Sequence, residues 1–213
     1  LLLNKISNKT FDNLYNKLIS IINNNINYLD FTIERLFNFA TEQYLLTKLY
    51  SRICLNLNSE FGTHIEETIL EKCKKYYRNY NNNKKSVEND TLSVEDKQIK
   101  LTKLKYKFIG IFHFVGELYK NSLIDIIVIW KYLDLLFENL NDNTIREQYI
   151  ECLKQLLIKI GDKLTKVQSG GLSVESNVLP KIEFYINNKK KYSFTNRELF
   201  MFMDIKDLFK KCK

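Results

Sequence analysis

Three runs in this sequence combine cations with aromatic rings. Lys72, Lys74, Lys75 and Arg78 alternate with Tyr76 and Tyr77. Lys100, Lys103, Lys105 and Lys107 surround Tyr106 and lead into Phe108, and Lys189, Lys190 and Lys191 make a third cluster. This is the chemistry of single-strand nucleic-acid binding: the cations neutralise phosphates and release counterions, and the rings stack on bases. The binding expected is weak, sensitive to salt and without sequence preference, because no recognised RNA-binding signature accompanies the runs. A charge run also reads as an ordinary solvated face, and Glu66, Glu67 and Glu71 dilute the first cluster.

Catalytic chemistry has little to work with. The two histidines, His64 and His113, lie far apart, and His113 sits where a packed or solvated imidazole is the simpler reading. The four cysteines, Cys54, Cys73, Cys152 and Cys212, form no C-x-x-C pair, so zinc of the usual spacing is not expected. Thiols dispersed through helical segments suit a reduced, intracellular protein. No phosphate-cradling loop, nucleophile elbow or zinc-binding H-E-x-x-H is present, and no strand precedes Gly110 and Gly116 to make a dinucleotide turn. The chain therefore reads as a non-enzyme that needs no cofactor or metal.

These residues must be placed by helices. One Pro and 6 Gly in 213 residues are too few for an all-β chain of tight turns, while 45% hydrophobic residues can bury a core. The apolar run from Ile124 to Phe137 is broken by Asp125, Lys131 and Asp134 and is shorter than the ~20 residues a membrane span requires. The chain opens on Leu1 rather than Met and shows no leader pattern, so a piece of a longer protein is expected.

Nine amphipathic segments can be marked by apolar residues stepping three or four apart. The first, from about Thr10 to Asn23, carries Phe11, Leu14, Tyr15, Leu18 and Ile22, with Ser7 or Asn8 as a possible cap. The second starts at Asp30, the third carries Leu45, Leu49, Ile53 and Leu57, and the fourth spans about Ile65 to Tyr80. The fifth carries Leu101, Leu104, Phe108, Phe112, Val115 and Leu118, with Gly110 and Gly116 signalling close packing. The sixth begins at Ser122, whose spacing to Asp125 resembles a capping box, and the seventh at Thr144 with Glu147. The eighth starts near Ser176 or Leu179 with Pro180 in its first turn, and the ninth opens with Thr195 and Glu198. Residues 81–97 read as a mobile polar loop and 168–175 as a flexible link. About one helix pair per 43 residues fits the HEAT-type period. The expected fold is an all-α solenoid of about five antiparallel helix pairs in a single domain over 1–213.

Five blocks carry a family resemblance. They are Leu2-Leu3-Asn4-Lys5-Ile6-Ser7 with Phe11; Ile69-Leu70-Glu71-Lys72-Cys73-Lys74-Lys75-Tyr76-Tyr77; Gly110-Ile111-Phe112-His113-Phe114-Val115-Gly116-Glu117-Leu118-Tyr119-Lys120; the stretch from Glu151 to Leu164; and Asn196-Arg197 through Leu208. In this order they resemble the middle domain of eukaryotic initiation factor 4 gamma over nearly the whole chain. Departures fall at Ile111 and His113 in the third block and at Leu199 and Phe209 in the last. The wider family includes scaffolds of nonsense-mediated decay, splicing and nuclear cap binding.

The resemblance implies a cytoplasmic translation-initiation scaffold that binds the DEAD-box helicase eukaryotic initiation factor 4A near each end and stimulates it. It also implies weak contact with mRNA and association with the cap-binding complex through flanking regions. Carried over by matching motif, the helicase contacts are Leu3 and Ile6 at the start and Arg197, Phe200, Asp204 and Asp207 at the end. Leu156 and Leu157 match an apolar pair that packing alone would also explain. Phe200 lies in a periodic helix, which assigns it first to the core, and for Leu3 the core and contact readings are evenly matched. Arg197 has the wrong charge for the first turn of a helix, which points to a partner within the chain or outside it. The rival readings are a related scaffold with another DEAD-box partner and, more remotely, a helical peptide-binding adaptor.

Overall fold

A computed structural model of the protein describes residues 2–62, 64–166 and 171–211. In chain order the α-helices are α1 (Leu2–Lys5), α2 (Phe11–Asn24), α3 (Tyr28–Glu42), α4 (Thr47–Phe61), α5 (His64–Glu88), α6 (Val94–Lys120), α7 (Ile126–Glu138), α8 (Arg146–Leu164), α9 (Leu179–Asn187), α10 (Lys189–Tyr192) and α11 (Asn196–Lys211). No β-strand occurs among the described residues. The fold is all-α, built of antiparallel helix pairs. It divides into two compact units, 1–114 and 115–213, with the boundary inside α6.

In the first unit, Phe11, Tyr15, Leu18 and Ile22 form the buried stripe of α2 at helical spacing. Its N-cap, Thr10, makes no side-chain cap bond. Ser7 braces the preceding turn instead, its N–H donating to Thr10 Oγ1 at 3.0 Å. The helix α4 stops at Gly62, whose φ of 89° suits a residue without a Cβ.

The loop expected over 81–97 is reduced to residues 89–93, because α5 continues to Glu88 and α6 already begins at Val94. Asn is a poor helix former, but packing overrides that preference. The Tyr80 ring stacks on Phe108 at 4.0 Å, and Lys84 pairs with Glu88 one turn along. Ser93 then starts α6, its Oγ accepting from the Asp96 N–H at 3.1 Å. Phe108, Ile111, Phe112 and Phe114 are all fully buried, so α6 is apolar on every side where it meets the core.

In the second unit the cap of α7 is Asp125, which accepts from the Ile127 N–H at 2.8 Å, rather than Ser122. Ser122 adopts a left-handed backbone, and its hydroxyl accepts from Lys163 at 3.2 Å. Thr144 likewise does not cap α8; its hydroxyl turns to Asp142 at 2.7 Å and α8 begins at Arg146 without a side-chain cap. The expected box at the last helix does form, with the Glu198 N–H donating to Thr195 Oγ1 at 3.2 Å and the Thr195 N–H to Glu198 Oε2 at 2.7 Å. Pro180 stands in the first turn of α9. Of the expected link over 168–175, residues 168–170 lie outside the described residues. Ser173 already caps a five-residue π-helical turn, Val174–Val178. Cys54, Cys73 and Cys152 are buried, and Cys212 lies outside the described residues.

Gly110 marks a close backbone approach between α6 and α3. A Cβ there would lie 1.9 Å from the carbonyl oxygen of Thr41 on α3. At Gly116 the nearest atom would be Lys159 Cγ at 2.7 Å, the stem of a flexible side chain. Gly110→Ala is therefore expected to cost about 3 kcal/mol or more and Gly116→Ala clearly less. Urea denaturation midpoints of the two variants check this order.

Candidate interaction surfaces

In the second unit the candidate contact residues are placed by α8 and α11, which pack against each other. Glu198, Leu199, Met201, Phe202, Ile205 and Phe209 bury one face of α11. The opposite face therefore carries Arg197, Phe200, Asp204 and Asp207 at steps of three and four. Phe200 is 63% exposed, so the core assignment for it is overturned. Two cross-helix ion pairs frame it: Arg197 to Glu147 at 3.4 Å and Asp204 to Lys154 at 2.7 Å. Glu147 on α8 thus supplies the in-chain partner for the misplaced charge of Arg197. Asp207 pairs with Lys210 on its own helix at 2.8 Å. An exposed aromatic ring between ordered charges is suited to docking a protein partner.

Leu156 and Leu157 are fully buried in α8 and serve packing, not direct contact. Leu3 and Ile6 are likewise only 8% and 7% exposed, because α1 folds back onto α2 and uses them to close its own core. Most of the apolar surface of that region comes from residues of α2 and α3 that the sequence did not single out. Leu2, Ile21, Tyr28, Phe31 and Phe39 line a groove of about 300 Å³ with Arg35 at its wall, and Leu3 also lines it.

The first two basic runs meet in the first unit. Lys107 donates to Asn38 at 2.8 Å and Glu42 at 2.9 Å, while Lys72 pairs with Glu34. Asn38 in turn donates to Glu34 at 3.2 Å, so the two lysines end in one network on α3. That network holds the Glu34 carboxyl below the usual carboxylate range, chiefly through the Lys72 hydrogen bond. Lys100 reaches Asp90 at 3.4 Å and Lys74 reaches Glu71 at 2.8 Å. Lys75, Arg78 and Lys103 are exposed, and Lys105 is half-buried. Lys100, Lys103, Lys107, Tyr44, Tyr76 and Tyr106 line a cleft of about 930 Å³. Burial, with the Glu42 charge adding to it, pushes the Tyr76 phenol up to about 12. Tyr44 is the ring the sequence did not reveal: it stands in a 3-10 turn (Tyr44–Leu46) before α4 and stacks on His113 at 5.2 Å. The third basic run, Lys189 to Lys191, forms the short exposed helix α10 in the second unit.

A search against protein-family models matches the MIF4G domain over residues 1–212. The chain belongs to the MIF4G domain family. A search of curated proteins finds no match. MIF4G domains form a helical scaffold family with a HEAT-like all-α fold; they bind helicases and other proteins and are not catalytic. No helix among the described residues is long and apolar enough to cross a membrane.

The MIF4G scaffold depends here on a pair the sequence did not disclose. Arg146, at the start of α8, donates to Glu198 Oε1 at 2.9 Å, to the Tyr192 carbonyl at 2.8 Å and to the Ser193 carbonyl at 3.2 Å. Both side chains are 4% exposed. Burial alone would raise the Glu198 carboxyl, but hydrogen bonds from Arg146 and from the Thr195 backbone and hydroxyl outweigh it and leave its pKa lowered. A depressed folded-state pKa gives stability that is complete above the unfolded value of about 4.3 and is lost as pH falls through the folded value. The protein should therefore lose stability below about pH 4, and Glu198→Gln should flatten that part of the profile. Arg146→Ala should cost about 3–5 kcal/mol, because it leaves the carboxylate buried and unpaired. Thermal melts across pH test both.

Proposed function

We propose that this MIF4G domain is a translation-initiation scaffold that binds and stimulates the DEAD-box helicase eukaryotic initiation factor 4A. The observation that carries this reading is the exposure of Phe200 between the Arg197–Glu147 and Asp204–Lys154 pairs. These α11 residues lie in the last block of the resemblance. Stimulation by a scaffold requires no chemistry of its own. A surface that binds one arrangement of the helicase lobes better than another shifts that equilibrium by its differential affinity. The second contact is assigned to the groove around Leu2, Ile21 and Phe31, which Leu3 also lines from its largely buried position, and not to the buried Ile6. A cytoplasmic location and association with the cap-binding complex through flanking regions belong to the same proposal.

Weak mRNA binding is assigned to the cleft of Tyr44, Tyr76 and Tyr106 with Lys100 and Lys103. Lys72 and Lys107 are tied to α3 carboxylates and contribute less than their charge suggests. One observation favours a second reading, a related scaffold serving another DEAD-box protein. Leu199 and Phe209 stand where the initiation-factor pattern has basic residues, and both are buried. Their side chains replace two surface charges with core packing, which would change the choice of partner.

Two measurements test these assignments. In RNA-dependent ATPase assays of the helicase, Phe200→Asp should weaken stimulation by roughly tenfold or more while circular dichroism and the melting temperature stay unchanged. A stimulated rate that the variant preserves would remove the α11 face, and stronger stimulation of a decay or splicing helicase would favour the second reading. For RNA, Tyr106→Ala should weaken binding of an unstructured single strand by about tenfold. Lys103→Ala should reduce the salt slope by about 0.7. Unaltered affinity and slope would return the lysines to a solvated face.

A further inference from the structure

The second unit carries a groove with more carboxylates than cations, on a chain whose net charge is positive. It lies between the end of α7 and α9, has a volume of about 400 Å³, and is lined by Asp134, Phe137, Glu138, Pro180, Phe184 and Tyr185 together with Lys181. The net charge of the chain is +8, yet the two carboxylates here come from α7 alone.

Their placement works against the helix that bears them. Asp134 and Glu138 are four residues apart, so like charges face each other across one turn. They also occupy the C-terminal end of α7, where the helix dipole is already negative and a cation would be favoured. A locally unfavourable charge left uncompensated by the fold, as at Glu138, is a mark of a binding site.

The groove already shows how it holds a cation. Lys181 from α9 places Nζ 2.6 Å from Asp134 Oδ1 and 5.1 Å from the centre of the Phe137 ring, a carboxylate on one side and an aromatic face on the other. Lys181 compensates Asp134 only. Glu138 is exposed and has no cationic partner among the described residues, and Phe184 beside it is 47% exposed. A second carboxylate and a second ring thus line the same groove with no cation paired to that carboxylate. The walls are braced by a hydrogen bond and ring contacts. The Tyr185 hydroxyl donates to the Phe137 carbonyl at 3.3 Å, and the Tyr185 ring lies edge-on to Phe184 at 5.5 Å and parallel to Phe202 at 5.8 Å.

We propose that this groove is a docking site for an arginine side chain presented by a basic segment of a protein partner. Glu138 accepts the guanidinium fork and Phe184 stacks on its plane. A guanidinium fits better than an ammonium because it is planar, stacks on rings and engages a carboxylate through two donors. The site is separate from the α11 face and from the tyrosine cleft, and it does not rest on either functional reading.

The test uses fluorescein-labelled Gly-Ser octapeptides carrying two arginines, two lysines or two glutamates, followed by anisotropy and by amide chemical shifts of the whole chain. The arginine peptide should bind saturably, more tightly than the lysine peptide, with shifts confined to the last turns of α7 and to α9. Glu138→Gln and Phe184→Ala should each weaken it about tenfold. Glu138→Lys should abolish binding while the melting temperature holds or rises, since the new charge complements the helix dipole. Absence of saturable arginine-peptide binding, full affinity retained by Glu138→Gln, or preference of the groove for the glutamate peptide or for a single-stranded RNA would each overturn the proposal. Should Phe184→Ala fail to fold, Glu138→Gln and Glu138→Lys still decide it.

Discussion

One guanidinium organises the second unit. Arg146 sits where α8 lacks a side-chain cap, and its donors reach the carbonyls that close α10 and the carboxylate that opens α11. Ser193, in a left-handed conformation, provides the sharp turn between those two helices. The buried pair is not cheap to form, and its net contribution to stability can be small, but losing either partner is costly. What it fixes is geometry. With Glu198 held at the first turn, the rotation of α11 about its own axis is set. That rotation turns Phe202, Ile205 and Phe209 inward and leaves Phe200 in solvent.

Which parts of this were legible in the sequence follows from the kind of signal each carries. All nine amphipathic segments correspond to helices, because a stripe of apolar residues at helical spacing repeats over many turns. The box of Thr195 and Glu198 was readable since both groups are local to the turn they cap. Thr144 and Ser122 offered the same residue types, but tertiary partners, Asp142 and Lys163, drew their hydroxyls away. The length of α5 was hidden because Tyr80 is held from α6, twenty-eight residues on, and not by its own neighbours. Phe200 reads first as core, and Leu3 is evenly matched between core and contact, because neither position shows its own phase. Leu199, Phe200, Met201, Phe202 and Met203 are contiguous and apolar, so spacing gives a helix without its phase. The phase is set by Arg146, half a hundred residues away. Leu3 is buried by the return of a four-residue helix too short to show periodicity.

Charge tells a similar story at the surface. A sum of +8 suggests a uniformly basic body, yet Glu34 and Glu42 on α3 absorb Lys72 and Lys107, and α7 ends in two carboxylates. Composition counts charges; only packing says which are already answered. The tyrosine cleft keeps a basic character because Lys103 and the half-exposed Lys100 project there, and the α11 face stays nearly balanced because its pairs are closed. The scaffold thus presents distinct electrostatic faces built from one excess of lysine.

The burial of the cysteines gives the molecule its own clock. Thiolate, not thiol, reacts with alkylating and disulfide reagents, so a cysteine enclosed in apolar surroundings is protected twice, by access and by ionisation. Cys54 is wholly enclosed, and burial, with the neighbouring Cys73 adding to it, drives its thiol far above the normal range. Cys54 and Cys73 belong to the first unit and Cys152 to the second. The modification rate of each therefore records how often its own unit opens. Agreement of the two rates would mean that the units breathe as one cooperative body, and divergence would mean that each has a lifetime of its own.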